Sequence, residues 1–108
     1  MIKVGIIGTG AIANNHIQGF LKFKEKCQIV AMADIYADKA QQKVDDYALD
    51  AKVYDDHKKM LAESELDLAV ILTPPFAHAE ATIDALNAGV NVLLEKPMAT
   101  TLEECDAI

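Results

Sequence analysis

Apolar and polar positions follow two rhythms along the chain, and a strand-like run gives way to helical spacing again and again. The opening run Lys3-Val4-Gly5-Ile6-Ile7 reads as a strand. It passes through Gly8-Thr9-Gly10 into a helical pattern over about Ala11–Lys24, where Ile12, His16 or Ile17, Phe20 and Leu21 share a face. Gln28–Asp34 reads as a second strand, and Ala37–Ala48 as a helix with Ala40, Val44 and Tyr47 on one side. A short strand at Ala51–Tyr54 precedes an Asp-capped helix over about Asp55–Ala62. In that helix Met60 and Leu61 are expected in the core, while His57 and the two lysines after it read as a solvated face. Leu66–Leu72 carries a single acid in a continuous apolar run, the pattern of a strand covered on both faces of a parallel sheet. Pro74 and Pro75 stop it, and Phe76, Ala79, Ile83 and Leu86 mark the next helix. Gly89 is placed to end that helix in the left-handed conformation. A fifth strand follows at Val90–Leu94, and Thr101-Leu102-Glu103-Glu104 fits a capping box for a further helix.

This alternation predicts an α/β fold, a doubly wound parallel sheet of the Rossmann type with right-handed crossovers. Five strands are one fewer than a complete dinucleotide-binding sheet has, so the 108 residues read as most of one such domain, spanning 1–108. Composition narrows the function. The net charge is −7 and there is no arginine, which argues against a nucleic acid or an anionic membrane surface as partner. No apolar run approaches the length of a membrane span. The first residues enter a strand with no basic leader, so the cytoplasm is the expected location. Cys27 and Cys105 have no metal-type spacing and read as reduced, structural thiols, and no metal site is expected.

The candidate chemistry begins at the glycine turn. Gly8 permits a tight turn off the first strand, Gly10 removes a side chain where backbone must approach a pyrophosphate, and Ala13 fills the slot where helix and sheet pack closely. The helix start, through Ala11 and Ile12, offers backbone N–H groups to phosphate. Asp34 ends the second strand 21 residues after Ala13, near the spacing of the acid that binds the adenosine ribose. A carboxylate there accepts from both ribose hydroxyls and repels a 2′-phosphate, favouring NAD over NADP. Ile35 and Tyr36 are uncharged, and Lys39 is the first base beyond them. The other reading of Asp34 is a local cap on the following helix. His16 reads first as a partly buried histidine against the sheet, and secondarily as a contact near the cleft.

These residues occur in one order: Gly8-Thr9-Gly10-Ala11-Ile12-Ala13 with His16, Asp34, Thr73-Pro74-Pro75-x-x-His78, and Glu95-Lys96-Pro97. Together they resemble the N-terminal domain of the Gfo/Idh/MocA oxidoreductases, the glucose–fructose oxidoreductase and inositol dehydrogenase family. The resemblance covers essentially the whole chain and implies a longer, two-domain enzyme. The second domain of that family carries the substrate pocket, oligomer contacts, and an acid and a histidine of the active site. It is not among these residues, so turnover by this chain alone is not expected. The resemblance further implies that Gly8, Gly10 and Ala13 hold the pyrophosphate turn and Asp34 the ribose. Thr73 and Pro74 would line the cleft, with His78 at the following helix start. Glu95 and Lys96 would reach the nicotinamide side, Pro97 fixing the loop and Lys96 touching substrate.

The function so implied is hydride transfer between NAD and a sugar or polyol hydroxyl carbon, in a parent enzyme expected to be a homo-oligomer. The nicotinamide carries the hydride, and a lysine such as Lys96 manages the hydroxyl proton or the developing alkoxide. Two other readings compete: a non-catalytic dinucleotide-sensing module, and an α/β interaction domain with no ligand. Lys96 and the Thr73-Pro74-Pro75 stretch have no use in the sensing module, which favours the enzyme over it, and cofactor titration decides the interaction domain. His78 reads first as a local hydrogen-bonding residue, with direct catalysis second.

Overall fold

Strands and helices alternate without exception along the residues that the computed structural model describes, 2–10, 13–23, 25–73 and 78–94. Strand β1 (Ile2–Ile7) leads to α1 (Ala13–Leu21), β2 (Cys27–Ala33) to α2 (Ala37–Asp46), and β3 (Lys52–Tyr54) to α3 (His57–Glu63). Then β4 (Leu68–Ile71) leads to α4 (His78–Asn87), and β5 (Asn91–Leu94) follows. Every strand pair is parallel, in the order β3-β2-β1-β4-β5. The chain winds outward from β1 through β2 to β3, then crosses back to β4 and winds outward again. The reversal falls between β1 and β4, where an open α/β sheet leaves a crevice at its carboxyl end.

Alternation of side chains along each strand builds one core on each face. Val4, Ile6, Ile29, Met32 and Val70 meet Ala13 and Ile17 of α1 and Ala40 and Val44 of α2. Ile7, Ala31, Ala33, Ala69 and Ile71 meet Met60 of α3 and Ala81 and Ala85 of α4. The doubly wound sheet expected from the sequence is therefore present, with helices on both sides. One irregularity interrupts it. The β1–β2 register shifts between Val4 and Gly5, passing over Val30, so that Val30 and Ala31 both turn to the α3–α4 side.

Gly89 has φ +78°, and Val90 N–H donates to Ala85 O at 3.1 Å while Gly89 N–H donates to Leu86 O at 3.0 Å. That pair of bonds is a Schellman ending, as the glycine predicted. Helix α2 ends the same way without a glycine: Ala48 has φ +51°, and Leu49 N–H donates to Val44 O at 2.9 Å. The cap of α3 is Asp56 rather than Asp55, its carboxylate accepting from Lys58 N–H at 2.9 Å. Helix α1 ends at Leu21, short of the expected Lys24, and Cys27 is buried as a free thiol directed at the Phe20 and Phe23 carbonyls. Among the described residues no helix is long and apolar enough to cross a membrane. Ala11, Ile12, Lys24, Pro74, Pro75, Phe76, the Glu95-Lys96-Pro97 stretch, the capping box at 101–104 and Cys105 lie outside the described residues.

Candidate functional site

The loop after β1 is shaped by one glycine that the fold requires and one that it does not. Gly8 has φ +97°, and a Cβ there would lie 2.7 Å from both Leu72 C and Thr73 N. The loop thus presses backbone against backbone where β1 and β4 end, as Gly8 N–H donates to Ala33 O at 2.8 Å and Leu72 N–H to Ile7 O at 2.7 Å. Gly10 has no such need. It is exposed, and a Cβ on it would meet nothing within 4 Å among the described residues. Its surroundings leave room for an incoming group. Ala13, the third small residue of the pattern, is fully buried under the loop in contact with the sheet.

Asp34 follows β2 and is tied to that loop. Its Oδ2 accepts from Thr9 N–H at 2.9 Å and from Thr9 Oγ1 at 2.7 Å, while Oδ1 accepts from Tyr36 N–H at 2.8 Å. The carboxylate therefore braces the glycine loop and also the turn into α2. Of its roughly four lone-pair positions the described residues fill three, and the one on Oδ1 that none of them takes can serve a ligand hydroxyl. The carboxylate expected to accept from both ribose hydroxyls thus also has partners within the chain.

A cleft of about 490 Å³ opens over the carboxyl ends of the strands. It brings together Gly8, Gly10, Asp34 and Thr73 of the sequence-derived set, together with Thr9, Ile35, Tyr36, Lys39, Asp55, Asp56 and His57. Ile35 and Tyr36 are 81% and 58% exposed, so two apolar side chains stand in solvent beside Asp34. Lys39 Nζ lies 4.9 Å from the centroid of the Tyr36 ring. Three carboxylates against one lysine make this end of the cleft poor for a phosphate dianion. Helix α4 begins at His78, where the resemblance placed that residue. Lys96 and its neighbours Glu95 and Pro97, with Ala11, Ile12 and Pro74, lie outside the described residues.

Sequence reasoning missed Thr9, Asp55, Asp56 and His57. Asp55-Asp56 closes β3 just as Asp34 closes β2, and the rule that ligands bind at strand carboxyl ends applies to both. His57 is a correction. Its side chain is 18% exposed, and its Nε2 lies 2.8 Å from Asp84 Oδ2 on α4, so it joins α3 to α4 instead of forming a solvated face. Glu80 completes a group with His57 and Asp84 whose ligating atoms lie within 4.8 Å of one another. Lys58 Nζ, 3.3 Å from Glu80 Oε1, already supplies that group with a cation. Glu80, with Asp84 and Asp56 behind it, holds the Lys58 ammonium above the usual lysine range. His16 is partly buried on α1, in keeping with a histidine packed near the sheet.

Comparison with known proteins agrees with this geometry. A family model for an oxidoreductase family with an NAD-binding Rossmann fold, GFO_IDH_MocA, matches residues 2–108. The inositol 2-dehydrogenase of Salmonella typhimurium is 34% identical over 107 residues, which cover 99% of this chain and 32% of that protein. The crystal structure of myo-inositol dehydrogenase from Lactobacillus casei with NAD(H) and myo-inositol superposes with a TM-score of 0.92 at 35% identity, covering 98% of this chain and 31% of that one. The WlbA dehydrogenase of Bordetella pertussis, solved with NADH and UDP-GlcNAcA, gives 0.90 at 30% identity over 97% of this chain and 32% of its own. The chain spans about a third of the length of the curated relatives it matches.

Proposed function

The chain belongs to the Gfo/Idh/MocA oxidoreductase family as its NAD-binding Rossmann unit, and on that premise we propose that it holds NAD in the cleft over β1, β2 and β4 for a dehydrogenase of inositol or a similar polyol. The observation that carries this reading is the pairing of an open Gly10 with a fixed Asp34 across one cleft. Gly8 and Thr9 spend their N–H groups inside the fold. The pyrophosphate therefore meets the chain from Gly10 onward, at Ala11, Ile12 and the start of α1, above buried Ala13. Asp34 takes an adenosine ribose hydroxyl on Oδ1, and the exposed Ile35 and Tyr36 flank the adenine. Thr73 is at the cleft, and we assign Pro74 and His78, the latter at the head of α4, to the same coenzyme site.

When bound, NAD accepts the hydride from the substrate carbon. This chain contributes Lys96, which we assign to the substrate hydroxyl and its proton, with Glu95 beside the nicotinamide and Pro97 holding the loop. Substrate contacts and the assembly of a cytoplasmic homo-oligomer fall to the remainder of the length seen in the relatives. The relatives' names support a polyol as the substrate class.

Titration of the chain with NADH and NADPH by coenzyme fluorescence tests the site. NADH should bind more tightly, and Asp34→Ala should weaken NADH by about tenfold while narrowing the preference. Equal affinities for the two coenzymes in the unsubstituted chain would remove Asp34 from the ribose role. In the longer enzyme, Lys96→Met should lower turnover of myo-inositol strongly and leave NADH affinity nearly unchanged. A tolerated Lys96→Met would overturn its assignment.

A further inference from the structure

We infer that Thr9 is the positioning residue that sets coenzyme choice, by locking the Asp34 carboxylate in one orientation; the inference rests on the reading of this cleft as the coenzyme site. Thr9 stands between the two loop glycines and is only 2% exposed. Its N–H and its Oγ1 both donate to Asp34 Oδ2, at 2.9 and 2.7 Å. The Tyr36 N–H, at 2.8 Å, takes one position on Oδ1.

Two consequences follow from this arrangement. First, the remaining acceptor position accommodates one ribose hydroxyl, and a 2′-phosphate, whose oxygens carry negative charge, finds no donor there. Second, the carboxylate cannot swing aside to make room. Doing so would break both bonds to Thr9 and leave a buried hydroxyl without its acceptor, a loss larger than that of an exposed hydrogen bond. The negative charge at the ribose edge is Asp34's, and its immobility is Thr9's.

An unlocked Asp34 would behave differently. It could rotate about its own side-chain torsions, away from a 2′-phosphate, and the same wall of the cleft holds a lysine to replace it. Lys39 lies beside Tyr36, two residues beyond Asp34. With Asp34 held, that ammonium shares the cleft with a fixed carboxylate. With Asp34 released, it becomes available to phosphate.

The test is the ratio of NADPH to NADH dissociation constants for the chain and for Thr9→Val and Thr9→Ser, each titrated by fluorescence, with a thermal melt alongside. Thr9→Val keeps the volume and the N–H but removes the hydroxyl donor. It should cut the ratio by at least about fivefold, chiefly by tightening NADPH, while Thr9→Ser should keep the ratio within about twofold. If Thr9→Val lowers the melting temperature but leaves the ratio unchanged, Thr9 is only a loop brace and the inference is overturned. Should Thr9→Val fail to fold, Thr9→Ala reads the same ratio without the branched side chain. An unsubstituted chain that binds neither coenzyme overturns the site reading itself, and the role of Thr9 with it. A chain that prefers NADH together with an unchanged variant overturns Thr9 alone.

Discussion

Gly8 and Leu72 stand closer than any residue with a side chain would allow, because a Cβ on Gly8 would fall 2.7 Å from Leu72 C and 2.9 Å from Leu72 O. The contact is between the ends of β1 and β4, the two strands at which the sheet reverses its winding. Close approach here narrows the floor of the cleft, and the positive φ of Gly8 turns the loop back over it. One residue thus satisfies a steric and a torsional demand together.

Gly8→Ala should accordingly destabilise the fold by at least about 2 kcal/mol, since an L side chain is strained at this φ and its Cβ meets immovable backbone. For a domain of this size that corresponds to a fall in melting temperature of about 8 °C or more. Differential scanning calorimetry checks it. A melting temperature equal to that of the unsubstituted chain would mean that the loop and the Leu72–Thr73 peptide separate easily.

Gly10→Val should do the opposite. A Cβ there meets nothing among the described residues, so the change in stability should stay within about 0.5 kcal/mol, as for other exposed positions. The branched side chain would nonetheless occupy the space assigned to pyrophosphate, and the NADH dissociation constant should rise by more than about tenfold. Calorimetric titration and a melt, taken together, separate the two effects. Near-normal binding would move the phosphate away from Gly10.

Much of this contrast was legible in the sequence, including the turn role of Gly8 and the open role of Gly10, but not which of the two has a positive φ. The spacing of Gly8, Gly10, Ala13 and Asp34 announced the strand, turn, helix and second strand, because each needs a residue type that few alternatives provide. The buried run before Thr73 likewise required a strand covered on both faces. Partnerships across the fold were not legible. Nothing local says that Thr9 reaches 25 positions along the chain to Asp34 or that His57 finds Asp84 on another helix. His57 sits among lysines and acids, and only the packing of α3 against α4 takes it out of solvent.

The His57–Asp84 contact should matter for stability because both side chains are largely withdrawn from water, at 18% and 29% exposure. Asp84→Ala leaves His57 Nε2 without that partner and should cost about 1–2 kcal/mol. Asp84→Asn keeps an acceptor oxygen and should cost less than half as much. Urea denaturation of both variants at pH 7 tests the order. Equal losses would mean that the side chain serves only to fill space between α3 and α4.

Ala48 provides the converse test, a site where glycine is missing and should help. It follows α2 with φ +51°, in a Schellman ending closed by Leu49 N–H to Val44 O at 2.9 Å. An L residue in this conformation carries a cost of about 1–2 kcal/mol that glycine does not. Glycine brings a cost of its own, because it gives the unfolded chain more freedom to lose, of about 0.4–1 kcal/mol. The first effect is the larger, so Ala48→Gly should stabilise the domain by roughly 0.5–1 kcal/mol. That amounts to a rise of about 2–8 °C in melting temperature. The residue lies at the far end of α2 from the glycine loop and is not among those lining the cleft, so NADH affinity should not change. A fall in melting temperature would mean that the freedom gained by the unfolded chain exceeds the strain relieved at the helix end.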